Sequence, residues 1–306
     1  DKQENITMPT FTKSQYELIS SILWCLPEDI CICDDAAGGM TNSSILIDVK
    51  SKKYIVRLPG KGSKELINRS QEYRVYNFLH NLKYDNLTVF ISPDGMKITK
   101  YITNPHNCDP NKSTDVMACM TKLREFHELE LRPNVEYFSL TANIDRYREL
   151  AKIRNHTPRQ KYEEVYNRCL QIAAWIERQP RKCCLCQIDA NPDNAIFADC
   201  SGIPTLIDWE YAGLQDPHVD IAMWATYCNY STEQFNTIMS NYFCKDIDND
   251  TRHKIYGYAA LAGMLWYNWC IYKQNCGVTY DDYTNNQFEY ADKYSDIVLR
   301  YIKNKE

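Results

Sequence analysis

Apolar and polar positions alternate with two different periods along this chain, and the change of period divides it. Residues 13–25 place Tyr16, Ile19, Ile22 and Leu23 at helical spacing, which predicts an amphipathic opening helix. A short strand over 29–33 follows, and then two apolar runs, 44–49 and 54–58, joined by the polar link Lys50-Ser51-Lys52-Lys53. They read as an antiparallel hairpin. Leu66, Tyr73, Val75, Phe78 and Leu82 predict a helix over 63–82. A second hairpin is expected from 87–91 and 96–102 around the turn Ser92-Pro93-Asp94-Gly95. Turn formers are densest at 103–111 (TNPHNCDPN), which sets the expected boundary between a lobe at 1–102 and another at 103–306. Beyond it the helical period dominates, at 113–129, 141–154, 159–178, 217–229, 232–243, 250–273 and 284–302. Short apolar pieces at 184–188, 195–198 and 205–207 interrupt it. The pattern predicts an α+β chain: a small antiparallel-sheet lobe, then a larger, mainly helical one.

Composition narrows the function. Lys plus Arg is 35 against 40 for Asp plus Glu, a net charge of −5, which argues against a nucleic-acid partner needing a basic surface. With 44% hydrophobic residues the chain has ample material for a packed core. Its best apolar stretch, 258–272, is shorter than the ~20 residues that span a bilayer and contains Gly263 and Asn268, so no membrane partner is expected. The polar start Asp1–Asn5 lacks both an initiator Met and a following apolar run. It reads as a processed or trimmed start without a secretion signal. The 14 cysteines are therefore expected to be reduced thiols of a cytoplasmic protein, and the lone CxxC at Cys183 and Cys186 lacks the four ligands of structural zinc.

The chemistry is densest at Cys186–Asn194. Asp189 and Asn194, five residues apart on a loop between short strands, can aim two oxygen ligands at one site. Asp208 ends another short strand 14 residues beyond Asn194. Magnesium prefers such oxygen donors, shared with substrate phosphates. Either motif alone is commonly a solvated loop, and the order is more informative. Paired glycines (Gly38, Gly39), a strand cation (Arg57), a helical acid (Glu72), the DxxxxN loop and the IDWE loop follow one another as in the kinase template.

The strings GGMTN, YIVRLPGKG, LINRSQE, LCQIDANPDN and LIDWEYAGLQDP resemble the choline/ethanolamine kinase family, within the aminoglycoside phosphotransferase superfamily, over about residues 12–295. The resemblance implies a protein-kinase-like bilobal fold, ATP and Mg²⁺ as cofactors, and phosphoryl transfer to a small alcohol. Choline is the first candidate; the alternatives are ethanolamine, an aminoglycoside, another alcohol, or binding without turnover. It implies Asp189 as base or hydroxyl-orienting residue, and Asn194 and Asp208 as metal ligands. On the nucleotide side it implies Gly39, Met40, Thr41 and Asn42 over the phosphates and Arg57 braced by Glu72. A hinge ending in Lys100, Tyr101 and Ile102 would meet adenine through backbone groups. Choline's quaternary ammonium offers no hydrogen-bond donor, so aromatic faces suit it. Trp266 and Trp269, i and i+3 on one helix, match the family's LWxxW pattern, and Tyr283 matches a further pocket aromatic. Glu210 and Tyr211, beside Asp208, are candidates for metal or acceptor. Two departures stand out: Gln187 where the family usually has His, and Arg57 where protein kinases carry Lys. A Gln amide can donate and accept as a supporting His does. His127 and Trp224 read as structural, Asp216 and Asp220 as anchors for the loop after IDWE, and Lys61 and Lys64 as a solvated turn. The oligomeric state is not expressed in any motif.

Overall fold

A computed structural model describes residues 11–36, 41–152, 160–198 and 202–305. The chain divides into two compact units, Asp1–Ile102 and Thr103–Glu306.

In the first unit α1 (Lys13–Leu23) precedes the strands β1 (Ile30–Ala36), β2 (Asn42–Val49) and β3 (Lys52–Pro59). Helix α2 (Arg69–Asn81) and the strands β4 (Thr88–Ile91) and β5 (Lys97–Lys100) complete it. The sheet is antiparallel in the order β1-β2-β3-β5-β4. Its core follows the period-2 alternation: Ile45, Ile47 and Val49 of β2 bury one face against Val56, Ile98 and Ile19 of α1. A capping box sets the start of α1, in which Thr12 Oγ1 accepts from Gln15 N while Gln15 Oε1 accepts from Thr12 N.

Helix α2 starts six residues later than the 63–82 pattern predicts. Residues 63–68 form a single turn, closed by Leu66 N and Ile67 N on Ser63 O, that buries Leu66 and Ile67 but does not continue into the helix. Asn68 caps the helix by accepting from Gln71 N at 3.1 Å. Apolar residues in a buried turn had mimicked an extra helical turn.

The second unit holds β6 (His106–Asn107), α3 (Ser113–Glu128), α4 (Leu140–Leu150), α5 (Tyr162–Glu177), β7 (Cys184–Cys186), β8 (Ala195–Phe197), β9 (Pro204–Leu206) and β10 (Gly213–Gln215). Four further helices close it: α6 (His218–Tyr227), α7 (Thr232–Phe243), α8 (Asn249–Asn275) and α9 (Asp281–Lys303). Strands pair as β6-β8-β9 and β10-β7. Helix α8 is buried on every face through its middle and packs on α4, α5, α6 and α9. Gly263 lets α9 approach closely, since a Cβ there would lie 2.5 Å from the Gln287 carbonyl oxygen. Helix α9 begins at Asp281, not 284, with Asp281 and Asp282 favouring the positive end of its dipole. No helix among the described residues is long and apolar enough to cross a membrane.

Candidate active site

The DxxxxN loop runs from β7 through a 3-10 turn, Pro192–Asn194, into β8. Asp220 of α6 holds its start: the carboxylate accepts from Gln187 N and Ile188 N, both at 2.8 Å, and from His127 Nε2 at 3.0 Å. His127 Nδ1 in turn meets the Tyr242 hydroxyl at 2.8 Å. Ile188 has φ +67°, costly for a β-branched residue, and two charge-assisted bonds at this bend offset that strain. The expectation for Asp220 needs correcting: it anchors the loop of Asp189, not the one after IDWE. Asp216 does tie down the loop after IDWE, since it pairs with Lys254 of α8 at 2.8 Å and accepts from Tyr258 Oη. The ligand atoms of His127, Cys186 and Asp220 lie within 4.8 Å of one another, but both Asp220 oxygens already accept from N–H donors and the Cys186 thiol donates to Gln215 O. That cluster is an anchor.

Two amides fix the Asp189 carboxylate. Asn191 Nδ2 donates to Oδ1 at 2.9 Å and Asn194 Nδ2 to Oδ2 at 3.0 Å. Both amides also reach the Asp189 carbonyl, while Asn191 Oδ1 accepts from Asp193 N and Asn194 N. Gln187 donates from Nε2 to Ile207 O at 2.5 Å, tying this loop to the segment that bears Asp208. Ile207 N donates to Asn194 O at 2.9 Å, and Asp208 then turns with φ +57°. Asn194 and Asp208 are thus joined through one strand pairing.

Burial, followed by the charges of Asp208 and Glu210, pushes the Asp189 carboxyl up to about 7 against the two amide bonds that lower it. Asp189 feels the charges of both other carboxylates, and Asn194 lies against it, so the four residues offer oxygen donors at one place. These residues fit a hard divalent cation.

Aromatic rings gather on the same unit. Trp269 Nε1 donates to Tyr211 Oη at 2.9 Å; the Trp266 ring meets Tyr211 edge-on at 5.4 Å and Trp269 at 6.2 Å. Trp266 Nε1 points to Met223 Sδ. Tyr283 lies 5.6 Å from Tyr227, whose hydroxyl bonds Asp193. Burial raises the pKa of Tyr211, Tyr283 and Tyr147, and the Asp189 charge adds to the rise in all three, which places their hydroxyls in its field. Trp224 is fully buried packing.

In the first unit, fully buried Glu72 accepts from Arg57 Nη2 at 2.5 Å and from Arg69 Nη1 at 2.7 Å. Arg57 also donates to Gly95 O, and Arg69 Nη2 to Asn42 Oδ1 at 2.7 Å. Two guanidiniums thus share the Glu72 carboxylate close to Asn42, which is buried along with its neighbour Thr41. Gly95 (φ +99°) lies against Arg69, whose Cδ would sit 2.6 Å from an added Cβ. Gly38, Gly39 and Met40 lie outside the described residues. Lys100 N donates to Leu87 O and Tyr101 N to Lys53 O, so these two hinge donors are engaged in the first unit. Ile102 follows them at the unit's end. Lys61 and Lys64 are exposed.

Sequence reasoning missed Arg69, Asn191, Tyr147 and Tyr227. Arg69 carried a readable signal, three residues before Glu72 on one helix face. The tyrosines come from separate helices and carried none.

Comparison with known proteins supplies the family. Residues 34–258 match the model for choline/ethanolamine kinase. Protein LicA of Haemophilus influenzae is 26% identical over 281 residues, covering 84% of this chain and 78% of its own length. The crystal structure of choline kinase LicA from Streptococcus pneumoniae is similar with a TM-score of 0.79 at 27% identity, covering 93% of this chain and 98% of that one. LicA in complex with AMP gives the same score and identity over 95% of this chain and 100% of that one. The fold is protein-kinase-like. The chain belongs to the choline/ethanolamine kinase family and is a kinase that transfers a phosphoryl group to an alcohol.

Proposed function

We propose that the enzyme transfers the γ-phosphoryl group of ATP to the hydroxyl of choline, giving phosphocholine and ADP, with Mg²⁺ as cofactor. The observation that carries this reading is the pairing, in one unit, of an amide-clamped carboxylate with an aromatic wall. Asp189 is held at both oxygens, and Tyr211, Trp266 and Trp269 lock together through a hydrogen bond and ring contacts. Aromatic faces attract a quaternary ammonium without needing a hydrogen bond from it. Similarity to choline kinase LicA, and to LicA in complex with AMP, supports both acceptor and nucleotide.

In this reading Asp189 receives the choline hydroxyl at a carboxylate oxygen, with Asn191 and Asn194 fixing the rotamer. As the choline oxygen bonds to the γ-phosphorus, its proton passes to Asp189, and the bond to the β,γ-bridging oxygen breaks to release ADP. Asn194 and Asp208 would hold Mg²⁺, which neutralises phosphate charge. Residues 1–102 serve as the nucleotide lobe: Gly39, Met40, Thr41 and Asn42 cover the phosphates, and Arg57 contacts them, braced by Glu72. Lys100, Tyr101 and Ile102 meet adenine, with Ile102 and the carbonyls carrying contacts that the Lys100 and Tyr101 donors cannot. Residues 103–306 supply catalysis and the acceptor subsite of Trp266, Trp269, Tyr283, Tyr211 and Glu210. We infer action in the cytoplasm, consistent with ATP use and with free thiols at every described cysteine. A panel of choline, ethanolamine and aminoglycosides with labelled ATP tests the reading. Choline should give the highest kcat/KM, and a preference for another acceptor would overturn it.

A further inference from the structure

Trp269 already carries a cation of the protein's own. Lys273, one helical turn further along α8, is only 2% exposed, and its Nζ lies 5.7 Å from the centroid of the Trp269 ring. The Tyr280 ring lies 5.6 Å from the same indole, tilted by 30°, and Nε1 is committed to Tyr211. Lysine is seldom buried, because its ammonium gives up water. Burial lowers its pKa here, while the charges of Cys276 and Glu210 act the other way. The Glu210 charge therefore reaches Lys273 as well as Asp189 and Tyr211. The Trp269 ring and the Glu210 charge, which would attract a cationic acceptor, thus already act on a lysine of the protein.

We propose that Lys273 is a specificity-determining residue of the acceptor subsite: its ammonium shares the Trp269 ring and the field of Glu210 with the acceptor's cationic head and sets how tightly that head is held. The inference rests on the choline reading above. Two like charges drawing on one ring and one carboxylate weaken each other's binding, and the effect acts on the acceptor's charge, not its shape. A packing role for Lys273 would act on shape alone.

The test uses the full-length enzyme with Lys273→Met and Lys273→Gln, which remove the charge, and Lys273→Arg, which keeps it. The readouts are KM for choline, the inhibition constant of 3,3-dimethylbutan-1-ol (choline's uncharged carbon isostere) and the melting temperature. In both neutral variants the choline KM should fall about five- to tenfold, the scale of one partly screened like-charge contact. The isostere's constant should stay within about twofold, and Lys273→Arg, which keeps the positive charge, should show no such fall in choline KM. A rise in choline KM, or equal shifts for choline and isostere, would overturn the proposal for Lys273 alone. Absence of choline turnover in the wild type would overturn the substrate reading and this inference together.

Discussion

Replacing Asp189 by Asn should stabilise the metal-free protein while disabling it. The Asp189 carboxyl rises from 3.8 to about 7 in the folded state through burial and the neighbouring charges of Asp208 and Glu210. A group whose folded pKa exceeds its unfolded one contributes stability below the unfolded value, and that contribution is lost as pH rises through the folded value. Between pH ~4 and ~7, therefore, the ionised carboxylate becomes a growing liability, worth ~4 kcal/mol at most at 1.36 kcal/mol per pKa unit. Asn at 189 cannot accept from both Asn191 and Asn194, which returns ~1 kcal/mol. The net gain at pH 8 is ~2–3 kcal/mol, or a rise of ~4–10 °C in melting temperature for a unit of this size. At pH 5 roughly a third of the carboxylate's cost has developed, so the gain there should be near zero. Thermal melts of both proteins at pH 5 and pH 8, in EDTA without nucleotide, check this. Turnover with labelled ATP should fall by at least ~10²-fold in the same variant, the scale of lost acid–base help. An Asn variant that melts at or below wild type at pH 8, or whose gain is the same at both pH values, would refute the electrostatic reasoning. Near-wild-type turnover would refute the role of Asp189.

Asp208→Ala should lower turnover by at least ~10²-fold and raise the Mg²⁺ concentration needed for half-maximal rate; an unchanged Mg²⁺ titration would remove it from the ligand set. EDTA should abolish turnover and added Mg²⁺ restore it, with calcium, larger and less octahedral, a poor substitute in the same assay. Trp269→Leu, which keeps apolar bulk but loses the π face, should raise the choline KM by about tenfold, corresponding to ~1.4 kcal/mol, and leave the ATP KM nearly unchanged. Equal loss on both substrates would mark Trp269 as packing. Gln187→His should keep or raise kcat, since an imidazole N–H can replace the donor to Ile207 O, whereas Gln187→Leu should lower kcat with a melting loss corresponding to ~1 kcal/mol. Wild-type kcat in the Leu variant would show that the tie between the two loops is idle.

Much of this molecule was legible in one dimension because its physics is local. Ile45, Ile47 and Val49 alternate on β2 since one face of a half-buried strand must be apolar, and α8 reads as apolar all round because helices surround it. The spacing of Asp189 and Asn194 lies within one loop, so their joint aim follows from a few backbone angles. The short strands β6 and β10 escaped, unlike β7, β8 and β9, because His106-Asn107 and Gly213-Leu214-Gln215 carry no apolar run and only their partners define them. Tertiary structure alone decided that Asp220 holds the Gln187 and Ile188 amides from more than 30 residues away. It alone brought Tyr147, Tyr211 and Tyr283, from three separate segments, into the field of one carboxylate. It also buried Lys273, whose place one turn beyond Trp269 on α8 follows from helical spacing, and brought the charge of Glu210 to it from another segment. A charge or ring carries no mark of its distant partner, since desolvation and Coulomb energy depend on distances that the folded chain creates.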